Sequence, residues 1–144
     1  MFKKILNKKL LKNQKGLTLI ELLAVIVILA IIAAIAIPAI GNIINNSRDK
    51  AIISEGLNII SGAKIAKMDG VCDGTATNPC DQTKIADYVD GVTGGASVAY
   101  SVTYDGKEWK LASFNKFDKI KGTKYQIKDT EKTEEKLKEK LEGK

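Results

Sequence analysis

The run from Leu17 to Ile40, LTLIELLAVIVILAIIAAIAIPAI, holds a single ionisable side chain, Glu21. As a helix it is roughly 36 Å long at 1.5 Å per residue, against about 30 Å of bilayer hydrocarbon. Ile, Leu, Val and Ala fall on every side of such a helix, so no polar stripe is left to face water. A chain with this segment has to bury it in lipid or in protein. A secretory signal peptide is the simplest competitor, with basic residues ahead of apolar ones and Ala34-Ile35-Ala36 as a cleavage pattern, but its apolar region ordinarily runs about 7–15 residues. The stretch from Leu22 to Ile37 already exceeds that.

The preceding residues have the opposite character. Lys3, Lys4, Lys8, Lys9, Lys12 and Lys15 stand ahead of Leu17 without one acid. These six account for the whole formal charge of +6, because the rest of the chain sets 17 Lys and Arg against 17 Asp and Glu. Basicity therefore belongs to the amino-terminal arm and is a poor argument for a nucleic-acid partner. Lysines on this flank favour a cytoplasmic amino terminus by the positive-inside rule. The 144 residues include no histidine, which removes the usual general base, the Ser/His and Cys/His pairings and most zinc sites. With no nucleophile motif, phosphate loop or metal cluster, the sequence points away from an enzyme and implies no cofactor and no metal.

Beyond Pro38 and Gly41 a helical period returns, with Ile52, Ile53, Leu57, Ile60 and Ala63 on one face and Lys50, Ser54, Glu55, Ser61 and Lys64 elsewhere. Its quick return favours a kink at Pro38 over an end to the helix. Asp69-Gly70 supplies a stop. A polar loop, Asp73 to Pro79, lies between Cys72 and Cys80, which are near enough in sequence to pair and suit an oxidising compartment. Thr83 to Val89 has room for one short helical turn before the glycine-rich 91–96. Val98, Tyr100, Val102 and Tyr104 then alternate with smaller or polar residues, and Asp105-Gly106 leads into a second alternating run through Trp109 and Leu111. A two-residue turn there places Val102 opposite Trp109 and Tyr100 opposite Leu111, gathering the large groups on one face. The amphipathic helix is the available cover. A third strand is expected through Tyr125 and Ile127, and Asp129 to Lys144, rich in Lys and Glu, reads as a solvated helix or frayed tail.

Lys15-Gly16-Leu17-Thr18-Leu19-Ile20-Glu21, running into an apolar helix interrupted by Pro38, resembles the class III signal of type IV pilins and pseudopilins. The resemblance joins a Lys-rich leader, Gly at the cleavage position, Glu fifth beyond it and Pro farther along, and it covers about residues 1–45. It implies that a prepilin peptidase cuts between Gly16 and Leu17 and methylates the new amine of Leu17. Glycine suits that position because a peptidase must approach the backbone closely. Leu17 stands where the family often has Phe, a mild apolar replacement. The resemblance further implies assembly roles for Glu21 and Pro38. It also implies a structural disulfide between Cys72 and Cys80, although the family often places its bridge nearer the carboxy terminus. Zinc is the competing reading of the two thiols, and without histidine its shell would be incomplete.

The expected fold is α+β and pilin-like, a long amino-terminal helix, apolar then amphipathic, packed on a small antiparallel sheet. Its expected divisions are a leader at 1–16, a transmembrane or filament-core helix at 17–41, the amphipathic helix of the head at 42–70, loop and sheet at 71–128, and a charged tail at 129–144. The implied function is a structural subunit of a type IV pilus, with a pseudopilin of a type II secretion or competence machine as the alternative. Implied partners are identical or related pilin subunits in a helical filament, the prepilin peptidase, the inner assembly platform, and the membrane before assembly. The precursor would cross the cytoplasmic membrane once, and the assembled form would be a surface filament serving adhesion, motility or DNA uptake. Lys107, Lys110, Lys116, Lys119, Lys121, Lys124 and Lys128, interspersed with Trp109, Phe114, Phe117 and Tyr125, would be the contact residues if DNA or a host surface were a partner. The competing reading of this set is a solvated lysine face with buried aromatics behind it.

Overall fold

The first helix, α1, runs from Phe2 to Met68 without a break at Pro38. The computed structural model describes the backbone of residues 2–143 and the side chains of residues 18–143 other than Ala96. Proline has no N–H to give the carbonyl of Ala34, and Gly41, which has open space around it, adds no packing. The stretch from Pro38 to Gly41 thus gives up one backbone hydrogen bond and some packing, and the helix nevertheless continues. α1 ends in a Schellman arrangement, with Gly70 at φ 74°, the Gly70 N–H on the Lys67 carbonyl at 3.1 Å and the Val71 N–H on the Ala66 carbonyl at 2.9 Å. The expected stop at Asp69-Gly70 is in place.

The chain divides between Ile43 and Ile44 into two compact units. In the second, α1 lays Ile53, Ile59, Ile60, Ala63 and Ala66 onto Tyr100, Val102, Leu111 and Phe114 of the sheet, and all of these are buried. Ile52 and Leu57, expected on the same face, are only partly covered at its margin. Gly62 permits close approach of the chain at Tyr88 and Val89, since a Cβ there would lie 2.5 Å from the Tyr88 carbonyl oxygen. This architecture is the expected α+β class.

The sheet has three antiparallel strands in the order β1 (Cys80–Asp81), β2 (Tyr100–Tyr104), β3 (Trp109–Phe114). The strand expected through Tyr125 and Ile127 is absent; Thr123–Tyr125 is a 3-10 turn, and β1 takes the place beside β2. Its two residues were too few for a sequence pattern to register. The hairpin register also differs from expectation. Tyr104 pairs with Trp109 and Val102 with Leu111, and after an irregularity between Ser101 and Val102, Tyr100 pairs with Phe114. The cause is the turn. The Asp105 carboxylate accepts the N–H groups of Lys107 and Glu108 at 2.9 and 2.8 Å, so Asp105 to Glu108 form the loop and the pairing slides by two residues. A two-residue slide keeps the apolar face inward.

Gln82–Ile85 forms a short helix, α2, followed by a 3-10 turn to Tyr88, as expected for this stretch. The charged carboxy-terminal segment forms α3, Glu134–Glu142, capped by the Thr133 hydroxyl and ended by Gly143 at φ 81°. It is seated on the sheet. Leu137 is fully buried, Leu141 is partly covered, and the Leu111 N–H donates to the Lys132 carbonyl at 2.9 Å.

Ion pairs join this seat, with Glu134 between Lys64 at 2.5 Å and Lys138 at 2.7 Å, and Glu131 at 3.5 Å from Lys140. Burial opposes ionisation of Glu134, yet hydrogen bonds and charge from Lys138 and Lys64 hold its carboxyl below the ordinary range; the Lys128 N–H does the same for Glu131. Groups with depressed folded values stabilise above the ordinary carboxylate range, and that contribution is lost as pH falls through the folded values. The protection of the Leu111 and Leu137 amides against hydrogen exchange, relative to their intrinsic rates, should therefore fall below about pH 4 before the α1–sheet core opens. Equal protection of both amides at pH 3 and pH 6 would show that the ion pairs do not hold α3.

Candidate functional site

Leu, Ile and Val occupy every side of α1 from Leu19 to Ile43, and the structure leaves them all open, from 48% exposed at Val27 to 72% at Leu19. The most apolar 18-residue window of α1 has a mean hydropathy of 3.2 and none of it is buried. Covering a Leu or Ile side chain is worth about 1.5–3 kcal/mol, so the uncovered segment represents on the order of tens of kcal/mol. By length and composition it can cross a membrane. It is the largest uncovered apolar surface among the described residues, and lipid or protein has to cover it.

Glu21 is exposed on this segment, and the ion pairs found among the described residues do not include it. It stands four residues beyond Leu17, on the same helical face. Gly16 and Leu17 lie outside the residues described in side-chain detail, and so does the early lysine cluster. Pro38 lies inside the helix.

The two cysteines meet. Cys72 and Cys80 are disulfide-bonded with Cα atoms 5.3 Å apart, tying the segment after α1 to β1. The enclosed loop is held by its own polar groups, with Asn78 Nδ2 donating to Asp73 at 2.9 Å, and it is held to the sheet by the Tyr104 N–H on the Gly74 carbonyl at 2.6 Å. Replacing both cysteines by serine should cost about 2–3 kcal/mol by the loop-entropy argument, read as a lower unfolding midpoint of the detergent-solubilised chain. An unchanged midpoint would mean that the loop's hydrogen bonds alone fix it.

The lysine and aromatic set separates. Phe114, Phe117 and Tyr125 are buried, while Trp109 is half-covered and stacks on Tyr104 at 4.8 Å between ring centres, with the Lys67 ammonium 5.5 Å from its ring. None of these rings is an open platform for a base. Lys107, Lys110, Lys119, Lys121, Lys124 and Lys128 are exposed, but Lys116 is buried.

Sequence reasoning missed what Lys116 does. Its ammonium contacts Glu55 of α1 at 2.5 Å and the Thr93 hydroxyl at 2.6 Å, and that hydroxyl also donates to Glu55 at 2.8 Å. Nearby Asp49, 2% exposed, accepts the N–H groups of Lys121 and Gly122 at 3.2 and 2.7 Å. Both acids stitch α1 to the chain after β3. For Asp49 the signal was on the helical wheel, where Asp49, Ile53, Gly56 and Ile60 form one i, i+4, i+7, i+11 stripe; for Glu55 and Lys116 the sequence carries no such signal.

Among the described residues no group of His, Cys, Asp and Glu is arranged to hold a metal. No curated protein and no solved structure matches the chain. An exposed apolar helix, a lone early glutamate and a preceding basic arm remain to be accounted for together, and one family model does so: residues 11–37 match the prokaryotic N-terminal methylation motif, the class III prepilin signal of type IV pilins and pseudopilins.

Proposed function

We propose that this chain is a structural subunit of a type IV pilus, made as a membrane-anchored precursor, cut between Gly16 and Leu17, methylated on the Leu17 amine and polymerised through its apolar helix. The observation that carries the reading is the uncovered segment of α1 in a chain bearing the methylation motif. Lipid covers such a helix before assembly, and parallel helices of neighbouring subunits cover it afterwards. Residues 17–41 would form the filament core, and the head built on 42–128 with its tail 129–144 would face outward. Pro38 and Gly41 give the core helix a place to open when packed. Loss of long surface filaments on deletion, seen by electron microscopy and restored by the intact gene, would support a major pilin. Unchanged filaments, or none in the parent strain, would favour an accessory or secretion-type pseudopilin.

A further inference from the structure

Beside α1 the head holds a cleft of about 500 Å³, lined by Asn45, Arg48, Ile52, Lys116, Lys119 and Lys121 among others. Its lining sets four cations against two acids, Asp49 and Glu55, and so carries an excess of positive charge. Both acids are already engaged. Asp49 accepts the Lys121 and Gly122 N–H groups, and Glu55 is held by Lys116 and the Thr93 hydroxyl. Arg48, Lys119 and Lys121 are exposed and enter none of the ion pairs found among the described residues. The exposed acids on the flanking loops, Asp90 and Asp118, do not line the cleft, and the Asp90 carboxylate accepts the Gly91 N–H at 2.8 Å.

We propose that this cleft binds the phosphate of an anionic phospholipid headgroup while the chain is anchored in the membrane, a site that rests on the membrane-anchored reading above. Its place on α1 favours lipid. The uncovered apolar surface runs on to Ile44, 46% exposed, and Arg48 follows one helical turn later. At 1.5 Å per residue that step is about 6 Å along the axis. With the apolar run immersed to its end, the step carries Arg48 out of the hydrocarbon and into the headgroup layer, which is about 5–7 Å thick on each face of a bilayer.

The cations are also set in place before a ligand arrives. Lys119 ends the 3-10 turn Asn115–Lys119 and Lys121 follows it, and this segment is fastened to α1 by the Lys116–Glu55 pair and by the two amides on Asp49. Ile120 between the two lysines is buried, so both are turned outward. The Arg48 guanidinium can fork onto two phosphate oxygens, with Lys119 and Lys121 as point charges beside it, and little ordering is left for binding to impose. A single nucleic-acid strand would call for stacking platforms as well, and Phe114, Phe117 and Tyr125 are buried.

The full chain in lipid nanodiscs tests this through the reactivity of its lysines. Discs of phosphatidylcholine alone are compared with discs that also hold phosphatidylglycerol, and acetylation of each amine is followed by peptide mass spectrometry. A headgroup in the cleft should slow acetylation of Lys119 and Lys121 about tenfold relative to Lys107, which is exposed in the loop between β2 and β3. Arg48→Gln, at an exposed helix position, should remove most of that protection, and Arg48→Lys should keep part of it. Equal rates in the two kinds of disc would overturn the site. So would slowing that Lys107 shares or that survives Arg48→Gln, the mark of a diffuse surface potential. Protection by inorganic phosphate or by a DNA duplex in discs of phosphatidylcholine alone would overturn lipid as the ligand and assign the cleft to that anion. A chain that stays out of the discs altogether would overturn the membrane-anchored reading, and the headgroup site with it.

Discussion

Mass spectrometry of the mature protein should find its amino terminus at Leu17, and Gly16→Val should leave the chain at full length and remove filaments from the cell. The reason is the order of three physical zones. Six lysines favour a cytoplasmic arm, a residue without a side chain follows, and an apolar helix set in the membrane would then fix the depth of the bond. A peptidase acting at that depth has to draw the backbone into its site. A valine side chain would displace the scissile bond, and a misplacement of about 1 Å is worth roughly a hundredfold in rate. The uncut arm would also stay attached to the helix, and six like charges at that end would oppose its packing among parallel neighbours. A mature terminus at Ile37 or beyond would mean ordinary signal cleavage and sink the pilin reading. Normal shortening of Gly16→Val would show that the bond is chosen by depth alone.

Much of this fold was legible because it depends on long patterns. The apolar run needed no context, and the returning period of Ile53, Ile60 and Ala63 showed which side of α1 would bury. Short-range chemistry was harder. Asp105-Gly106 announced a hairpin correctly, but its register depended on whether the Asp105 carboxylate would capture two following amides, which the dipeptide alone does not decide. Cys80–Asp81 is too short to show alternation and becomes a strand only because the disulfide and Val102 hold it in place. The tail misled for a related reason. Lys and Glu dominate it, yet one buried leucine, Leu137, and the carbonyl of Lys132 are enough to seat α3. At the apolar amino-terminal segment the situation reverses, since the methylation motif is legible there in the sequence and the structure presents only an uncovered helix.

Glu21→Ala chains, expressed as the only copy, should insert and be shortened normally yet fail to enter filaments efficiently. A charge at the centre of a membrane helix costs about 2.5–3.5 kcal/mol on insertion scales, less near the end where Glu21 lies, so its removal favours partitioning. Something must compensate for keeping it. One compensation is local, with the carboxylate reaching the cytoplasmic interface, and then alanine would be silent. The other is a partner that appears only after processing. Cutting at Gly16 would create a cationic amine on Leu17, about 6 Å along the axis from Glu21 at 1.5 Å per residue. Among packed helices, where water is excluded, the carboxylate of one subunit could neutralise the amine of a neighbour displaced by about that distance. Breaking a buried pair by removing one partner costs roughly 3–5 kcal/mol, because the other charge is left alone in an apolar surrounding. At about 1.4 kcal/mol per tenfold, that is a hundredfold or greater loss of subunit affinity. Glu21→Asp, which keeps the charge one methylene shorter, should recover part of the filaments. Filaments of normal number and length from Glu21→Ala would show that the apolar surface alone sets the register and that Glu21 has no partner in assembly.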